Sequence, residues 1–324
     1  MSGPLVTIAI PTYSRLSLLK EAVDSALAQT YPHCEALISQ NPGGNEDAET
    51  EQWARSMAGQ NSRIRYQKNP VNIGMAGNWN ASVDAAKGDY VVLLADDDRL
   101  LPQCVATMIS HLNSEIVVVF SNHYIIDAQG ARDVNASIKC LADYKRDRIP
   151  VGLVSGPGHW VWQNSVPIVS SLIRAEELRR LRFKEDLNTP EIEMFARIAE
   201  EGSKFWFCDE YLAEYRVHGS SATSAGLMTE RLLPAMFAIN VSPQTASYKA
   251  LFINECARGA IAKALRKRNL LSARELLRSP YGCNAFHAES LKGMRGSFIR
   301  VIYVALLLVP KSLLSFIQRC AAGA

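Results

Sequence analysis

The sequence predicts an α/β fold: a mostly parallel sheet flanked by helices, followed by a mainly helical C-terminal extension. Short apolar runs alternate with stretches of helical spacing up to residue 121, the rhythm of a parallel sheet covered on both faces. Polar clusters close three of those runs, at Thr12-Tyr13, Gln40-Asn41 and Asp96-Asp97-Asp98. Ligand sites in such sheets lie beyond the carboxyl ends of the strands, so these clusters are expected to converge.

Each element follows from its pattern. Residues 5–10 read as a buried strand that stops at Pro11. Leu16, Leu19, Val23 and Leu27 recur at helical spacing, with Ser14 or Ser17 as N-cap. Residues 35–39 form a second strand before the Asn41-Pro42-Gly43-Gly44 turn, residues 46–58 a helix and 63–67 a third strand. Residues 80–86 read as helix, and the run Tyr90-Val91-Val92-Leu93-Leu94 as a strongly apolar strand. Residues 101–112 are helical and 116–121 a buried strand. From about residue 135 the pattern turns irregular and aromatic; residues 191–200 then read as helix, 205–208 as strand, and 227 onward as mainly helical. The expected domains are 1–222 and 223–324.

The chain has 324 residues, 48% of them hydrophobic, enough for a substantial core; 21% charged residues without low-complexity tracts argue against wholesale disorder. Seven dispersed cysteines, none in a C-x-x-C pair, suit a reducing compartment rather than a disulfide framework or zinc site. The N-terminus lacks the basic region and long apolar stretch of a secretion signal, so a cytoplasmic location is expected. The net charge of +3 conceals an asymmetry: residues 258–324 hold 12 Lys and Arg against 2 acidic residues, whereas residues 1–257 hold 23 against 30. The basic tail contains the apolar run 301–309 and a second cluster, Leu313, Leu314, Phe316 and Ile317. Neither reaches the roughly 20 residues a bilayer span needs. An amphipathic segment lying on an anionic membrane surface is the expectation, so that the protein is peripheral on the inner face of the cell membrane. The alternative is a helix packed on the body or in a homo-oligomer. Nucleic acid is not an expected partner, because the basic residues are interleaved with aliphatics rather than aromatics.

Asp96, Asp97 and Asp98 end the most apolar strand. Adjacent carboxylates beside apolar walls repel one another and call for a neutralising group. A hard divalent cation, Mn²⁺ or Mg²⁺, shared with substrate phosphates meets that need. An acidic helix N-terminus before Leu100-Leu101-Pro102 is the competing explanation.

Several motifs in order make the resemblance specific. Pro11-Thr12-Tyr13-Ser14-Arg15, the helix ending 25–31, Asn72-Ile73-Gly74, Asn78-Trp79-Asn80, residues 86–90, Leu94-Ala95-Asp96-Asp97-Asp98 and Tyr215-Arg216-Val217-His218 resemble family-2 glycosyltransferases with the Rossmann-like GT-A fold, over about residues 5–220. The resemblance implies that Pro11, Thr12, Tyr13, Arg15, Gln40, Asn72, Gly74, Asn78, Asp96 and Asp97 bind a nucleotide-sugar donor, Tyr13 stacking on the base. It further implies that Asp96, Asp98 and His218 bind the metal. Without it, Tyr13 reads as a packed aromatic and His218 as a loop histidine. The family's base is commonly an Asp several residues before an Arg in a helix; counting back from Arg197 places Glu191 there, at a helix start where a carboxylate is stabilised. Glu185-Asp186 is the competitor, and Glu193 reads as a solvated helix residue. Where family members commonly have an Asp that reads uracil, this chain has Gln40, which leaves uridine, thymidine and guanosine donors all open. Trp160 and Trp162 would line the acceptor site or belong to the core.

The implied activity is inverting transfer from a nucleotide-diphosphate sugar to a hydroxyl of a glycan or polyprenyl-linked saccharide, in bacterial surface polysaccharide synthesis. A sugar nucleotidyltransferase would need a Gly-rich basic loop after the first strand, which residues 11–15 do not supply. A non-catalytic sugar-nucleotide-binding scaffold would account for Gln40 and the altered Glu-Asp pair, against the retained carboxylates.

Overall fold

The computed structural model describes residues 3–219, 229–282, 306, 308–310 and 312–314. The chain divides into two compact units, Met1–Leu227 and Met228–Ala324.

In the first unit the elements run β1 (Val6–Thr12), α1 (Leu16–Leu27), β2 (Cys34–Gln40), α2 (Asp47–Gln60), β3 (Ile64–Lys68), α3 (Gly74–Ala85) and β4 (Tyr90–Leu93). Then follow β5 (Arg99–Leu100), α4 (Cys104–Ser110), β6 (Ile116–Ile126), β7 (Arg132–Asp133), α5 (Val134–Asp143), a 3-10 turn at Arg146–Arg148, β8 (Gly152–Leu153) and α6 (Pro157–Val161). The unit ends with β9 (Ser171–Arg174), α7 (Ala175–Leu181), α8 (Pro190–Glu200) and β10 (Lys204–Arg216). The sheet order is β3-β2-β1-β4-β9-β6-β10-β5, with β7 on β6 and β8 on β10. β1, β2, β3 and β4 pair in parallel, as do β6 and β10; β9 is antiparallel to both β4 and β6. The mostly parallel sheet that the sequence predicts is therefore present, with one reversed strand inserted in it.

β1 runs two residues past the stop expected at Pro11. Ala9 accepts from Leu94 N–H on the β4 side, whereas Thr12 accepts from Asn41 N–H on the β2 side, so Pro11 faces the side where β4 has already ended. Its missing donor removes no ladder bond there. Gly88 lets β4 start against β1: a Cβ on it would lie 2.5 Å from Thr7 N and 2.8 Å from Leu5 O. No serine caps α1; Leu16 N–H donates instead to the Glu46 carboxylate at 2.7 Å, and Ser14 Oγ accepts from Glu46 N–H. Central strands are buried on both faces: Val6, Ile8, Ile10, Ile38 and Val92 have no exposed surface and share one core with α1 and α4.

The second unit holds α9 (Thr229–Ala238), α10 (Ala246–Arg266) and α11 (Leu270–Arg278). Its core joins Ile261, Ala273 and Leu277 to Leu306 and Leu314. Part of the apolar tail is thus used in packing within its own unit, while Leu308 and Leu313 stay exposed. The rest of the expected amphipathic segment lies outside the described residues. Among the described residues no helix is long and apolar enough to cross a membrane.

Candidate active site

The ends of β1, β2, β4 and β10 surround a cleft of about 350 Å³ with the N-terminal turns of α3 and α8. Pro11, Thr12, Tyr13, Arg15, Asn72, Gly74, Asn78, Asp96, Asp97, Asp98 and Glu191 all line it, as do Asn41, Met75, Trp79, Ile168, Asn188, Tyr215 and Arg216.

The three aspartates are buried and held by different partners. Asp96 Oδ2 accepts from Thr12 Oγ1 at 2.7 Å and Tyr13 N–H at 3.3 Å. Arg15 reaches Asp97 Oδ2 at 2.6 Å and Asp96 Oδ1 at 3.3 Å. His218 Nε2 lies 3.0 Å from Asp97 Oδ2. Asp98 Oδ1 accepts the backbone N–H of Arg216 at 2.8 Å. Burial pushes Asp96 up to about 6 against the attraction of Arg15. Burial, then the Asp97 charge, raises Asp98 well above the ordinary carboxylate range. Negative charge is therefore under-compensated at the floor of the cleft.

Among the described residues no three His, Cys, Asp or Glu side chains are arranged to hold a metal by themselves. The donor set still fits a hard cation, because Mg²⁺ and like ions take one or two protein carboxylates and complete their shell with water and phosphate. The raised Asp98 carboxyl, whose Oδ1 accepts a backbone N–H, is the group such a cation would relieve.

Glu191 sits in the first turn of α8, partly exposed into the cleft. Burial pushes its carboxyl up to about 7; its own backbone N–H works the other way and loses. The carboxylate expected to be stabilised at a helix start is thus one poised near neutrality. Glu185 and Asp186 are exposed and do not line the cleft; Glu185 accepts from Asn80 Nδ2 at 3.1 Å. Glu193 is not solvated. It is 1% exposed, paired with Arg197 at 2.7 Å and Lys184 at 3.4 Å, because Arg197 one helical turn on ties α8 to the Leu181 and Arg182 carbonyls.

Two further expectations are corrected by placement. Gln40 is fully buried and does not line the cleft: its Nε2 donates to Asp47, and its Oε1 accepts from Tyr66 Oη at 2.7 Å. Neither end of the amide is directed at a ligand. Trp162 is core, 2% exposed, donating Nε1–H to Glu200 at 2.7 Å, and Trp160 packs on His159 away from the cleft lining.

Arg216 is the residue whose part the sequence did not disclose. Its side chain is 1% exposed; Nε donates to Asp97 O at 2.7 Å and Nη2 pairs with Glu21 at 2.6 Å. With its backbone on Asp98, it fixes the loop after β4 against the end of β10. Asn78 and Asn41 brace the other wall: Asn78 Nδ2 donates to Ser39 O at 2.9 Å, and Asn41 Nδ2 to Gly74 O at 2.9 Å.

The profile described as Glycosyl transferase family 2 matches residues 7–164. Over those residues the chain is similar to family-2 glycosyltransferases, and its fold is the GT-A fold. The chain is 24% identical over 227 residues to the GalNAc(5)-diNAcBac-PP-undecaprenol beta-1,3-glucosyltransferase of Campylobacter jejuni, covering 69% of this chain and 68% of that one. In fold it is similar to the Staphylococcus aureus protein TarS, residues 1–349, in complex with UDP-GlcNAc: TM-score 0.65, 12% identity, 84% of this chain and 79% of that one. It is likewise similar to the mannosyltransferase PcManGT of Pyrobaculum calidifontis in complex with GDP-Man and Mn²⁺: TM-score 0.58, 17% identity, 98% and 84% covered.

Proposed function

We propose that this glycosyltransferase is inverting and metal-dependent, moving a sugar from a nucleotide-diphosphate donor to a hydroxyl of a glycan or lipid-linked acceptor. The observation that carries the reading is one cleft with the buried aspartates on one wall and Glu191, poised near neutrality, on another. Such a pairing suits a donor whose leaving group is anionic and an acceptor whose hydroxyl must lose a proton.

Asp98 and Asp96, with His218 reached through Asp97, are the residues that would hold the divalent cation. When bound, the cation neutralises charge that develops on the departing diphosphate. Arg15 stands over Asp96 and Asp97 and can turn its free face to a phosphate. Tyr13, 46% exposed beside the Gly43-Gly44 turn, offers its ring to the base. With Gln40 turned inward, uridine, thymidine and guanosine donors all remain compatible with the cleft. Glu191 takes the proton of the acceptor hydroxyl while that oxygen bonds to the anomeric carbon. The bond from that carbon to the diphosphate oxygen breaks with its electron pair, and the configuration inverts. No protein nucleophile is needed.

The Campylobacter relative's undecaprenol-linked substrate and the basic residues 258–324 together support a saccharide acceptor held at an anionic membrane surface, as in bacterial surface polysaccharide synthesis. A peripheral cytoplasmic location accords with that surface. The test is transfer of radiolabelled sugar from UDP, TDP or GDP donors to lipid-linked saccharides with Mn²⁺, and again with EDTA. Metal-dependent product supports the reading; product unaffected by EDTA, or none in any pairing, contradicts it.

A further inference from the structure

Beside the cleft, α5 and the 3-10 turn Arg146–Arg148 cover one end of β6 and enclose a small polar cluster. Arg146 is 3% exposed, yet among the described residues no carboxylate pairs with it. Its Nη2 lies 3.3 Å from Cys140 Sγ, its guanidinium stands 5.5 Å from the Tyr144 ring, and its Nε has no partner. His123 is 6% exposed and places Nε2 at 3.7 Å from the same sulfur, while its Nδ1 has no partner. Burial, then the Arg146 charge, lowers His123 well below its ordinary value and keeps it neutral.

A guanidinium cannot shed its charge, and a buried one needs a counter-charge nearby. The group that its Nη2 reaches is the Cys140 sulfur, 3.3 Å away. Cys140 is half-buried, as is Cys256, whereas Cys34, Cys104 and Cys208 are buried, and burial pushes the Cys34, Cys104, Cys208 and Cys256 thiols up. An electropositive, partly open setting is what makes a thiol nucleophilic.

We propose that Cys140 is a reactive thiol, a modification site for small disulfides and soft electrophiles, whose occupation obstructs the acceptor side of the cleft. The Cys140 sulfur releases its proton to solvent and, as the anion beside Arg146, attacks one sulfur of a low-molecular-weight disulfide. A new S–S bond forms, the old one breaks, and the displaced thiolate leaves with the electron pair and is protonated by solvent. The mixed disulfide then stands next to Tyr144, whose ring faces the Arg146 guanidinium. It also adjoins His123, whose ring is 5.8 Å from that of the cleft residue Tyr215. The obstruction, though not the reactivity, rests on the acceptor reading proposed above.

The experiment is timed alkylation of the reduced protein by limiting iodoacetamide at about pH 7.5, read cysteine by cysteine by peptide mass spectrometry, with free glutathione as the standard. Cys140 is expected to react about tenfold faster than glutathione and faster than Cys34, Cys104, Cys208 and Cys256. Arg146→Met should lower that rate about tenfold and Arg146→Lys should restore most of it, with melting curves showing both folded. Cys140 reacting no faster than glutathione overturns the proposal, as does an unchanged rate in folded Arg146→Met. Should Arg146→Met fail to fold, the wild-type comparison with glutathione decides. Treatment with glutathione disulfide should then abolish transfer but not donor binding in the wild type, and leave Cys140→Ser fully active. Undiminished transfer by the glutathione-modified protein overturns the obstruction. Absence of transfer in every untreated protein would instead count against the glycosyltransferase mechanism, and the alkylation rates read independently of it.

Discussion

Replacing Glu191 by Gln should abolish transfer and stabilise the fold, with the second effect depending on pH in a defined direction. In the unfolded chain a glutamate titrates near 4.5, whereas in the folded protein burial pushes Glu191 up to about 7. A carboxyl raised in the folded state contributes stability that is fully present below about pH 4.5 and is lost as pH rises through about 7. Relative to wild type, Glu191→Gln should therefore gain nothing near pH 4.5 and most above pH 7. At about 1.4 kcal/mol per unit the gain is at most about 3 kcal/mol, and less because the carboxyl opens onto the cleft. Thermal melting of both proteins at about pH 5 and about pH 8 should show a difference of several degrees at the higher pH that shrinks at the lower. Transfer should fall about 100-fold or more with donor binding intact, as expected when a general base is removed. A variant that melts below wild type at the higher pH, or that transfers normally, would refute the reasoning; transfer lost in Glu185→Gln or Asp186→Asn instead would mean that the wrong carboxylate has been assigned.

Four substitutions and one measurement on the wild type have worked outcomes. Asp98→Ala and Asp96→Ala should remove Mn²⁺-dependent nucleotide binding, read by titration calorimetry, while leaving circular dichroism unchanged; the bound cation being absent, added EDTA should make no further difference. Glu193→Ala leaves Arg197 without its carboxylate and should lower stability by about 2 kcal/mol, below the usual loss for a buried pair because Arg197 and Lys184 reach solvent, with donor affinity unaltered. Gly88→Ala drives a methyl into the Thr7 and Leu5 backbone and should cost about 3 kcal/mol or abolish soluble expression, measured by urea unfolding. Wild-type protein should bind vesicles containing anionic lipid, less as salt rises, and bind neutral ones weakly, as judged by co-sedimentation; indifference to anionic vesicles at low salt would remove the membrane surface from the account.

Deleting the tail is a poorer test of membrane binding than the sequence alone suggests, because Leu306 and Leu314 belong to the core around Ile261, Ala273 and Leu277. Amphipathic spacing shows that such residues need an apolar partner and is silent on which partner they find. The parallel half of the sheet was legible because β1, β2 and β4 are apolar runs joined by helices, each closed by a polar cluster. The reversal of β9 was not, since Ser171-Leu172-Ile173-Arg174 is a short apolar run with nothing in its pattern to set direction. The approach of Asp96 and Asp98 to the cleft followed from strand ends, and that of Glu191 from the family resemblance, which set the count back from Arg197. Gln40 escaped because its orientation depends on Tyr66 and Asp47, partners brought together by the pairing of β2 with β3 and the start of α2. Glu193 was misread for a related reason. Its i+4 partner Arg197 was visible in the sequence, but the burial of the pair depends on the carbonyls at the end of α7.

The central claim, that the cleft is a metal-assisted nucleotide-sugar site, meets its most direct test in thermal melting of the wild-type protein with UDP, TDP, GDP and CMP sugars, each with Mn²⁺ and with EDTA. Ligand present at about 100 times its dissociation constant stabilises the native state by about 2.7 kcal/mol, an upward shift of several degrees. The account predicts that at least one nucleotide-diphosphate sugar raises the melting temperature in Mn²⁺ and not in EDTA, and that Asp98→Ala erases the shift. Equal shifts in Mn²⁺ and EDTA, or no shift with any donor, would contradict it.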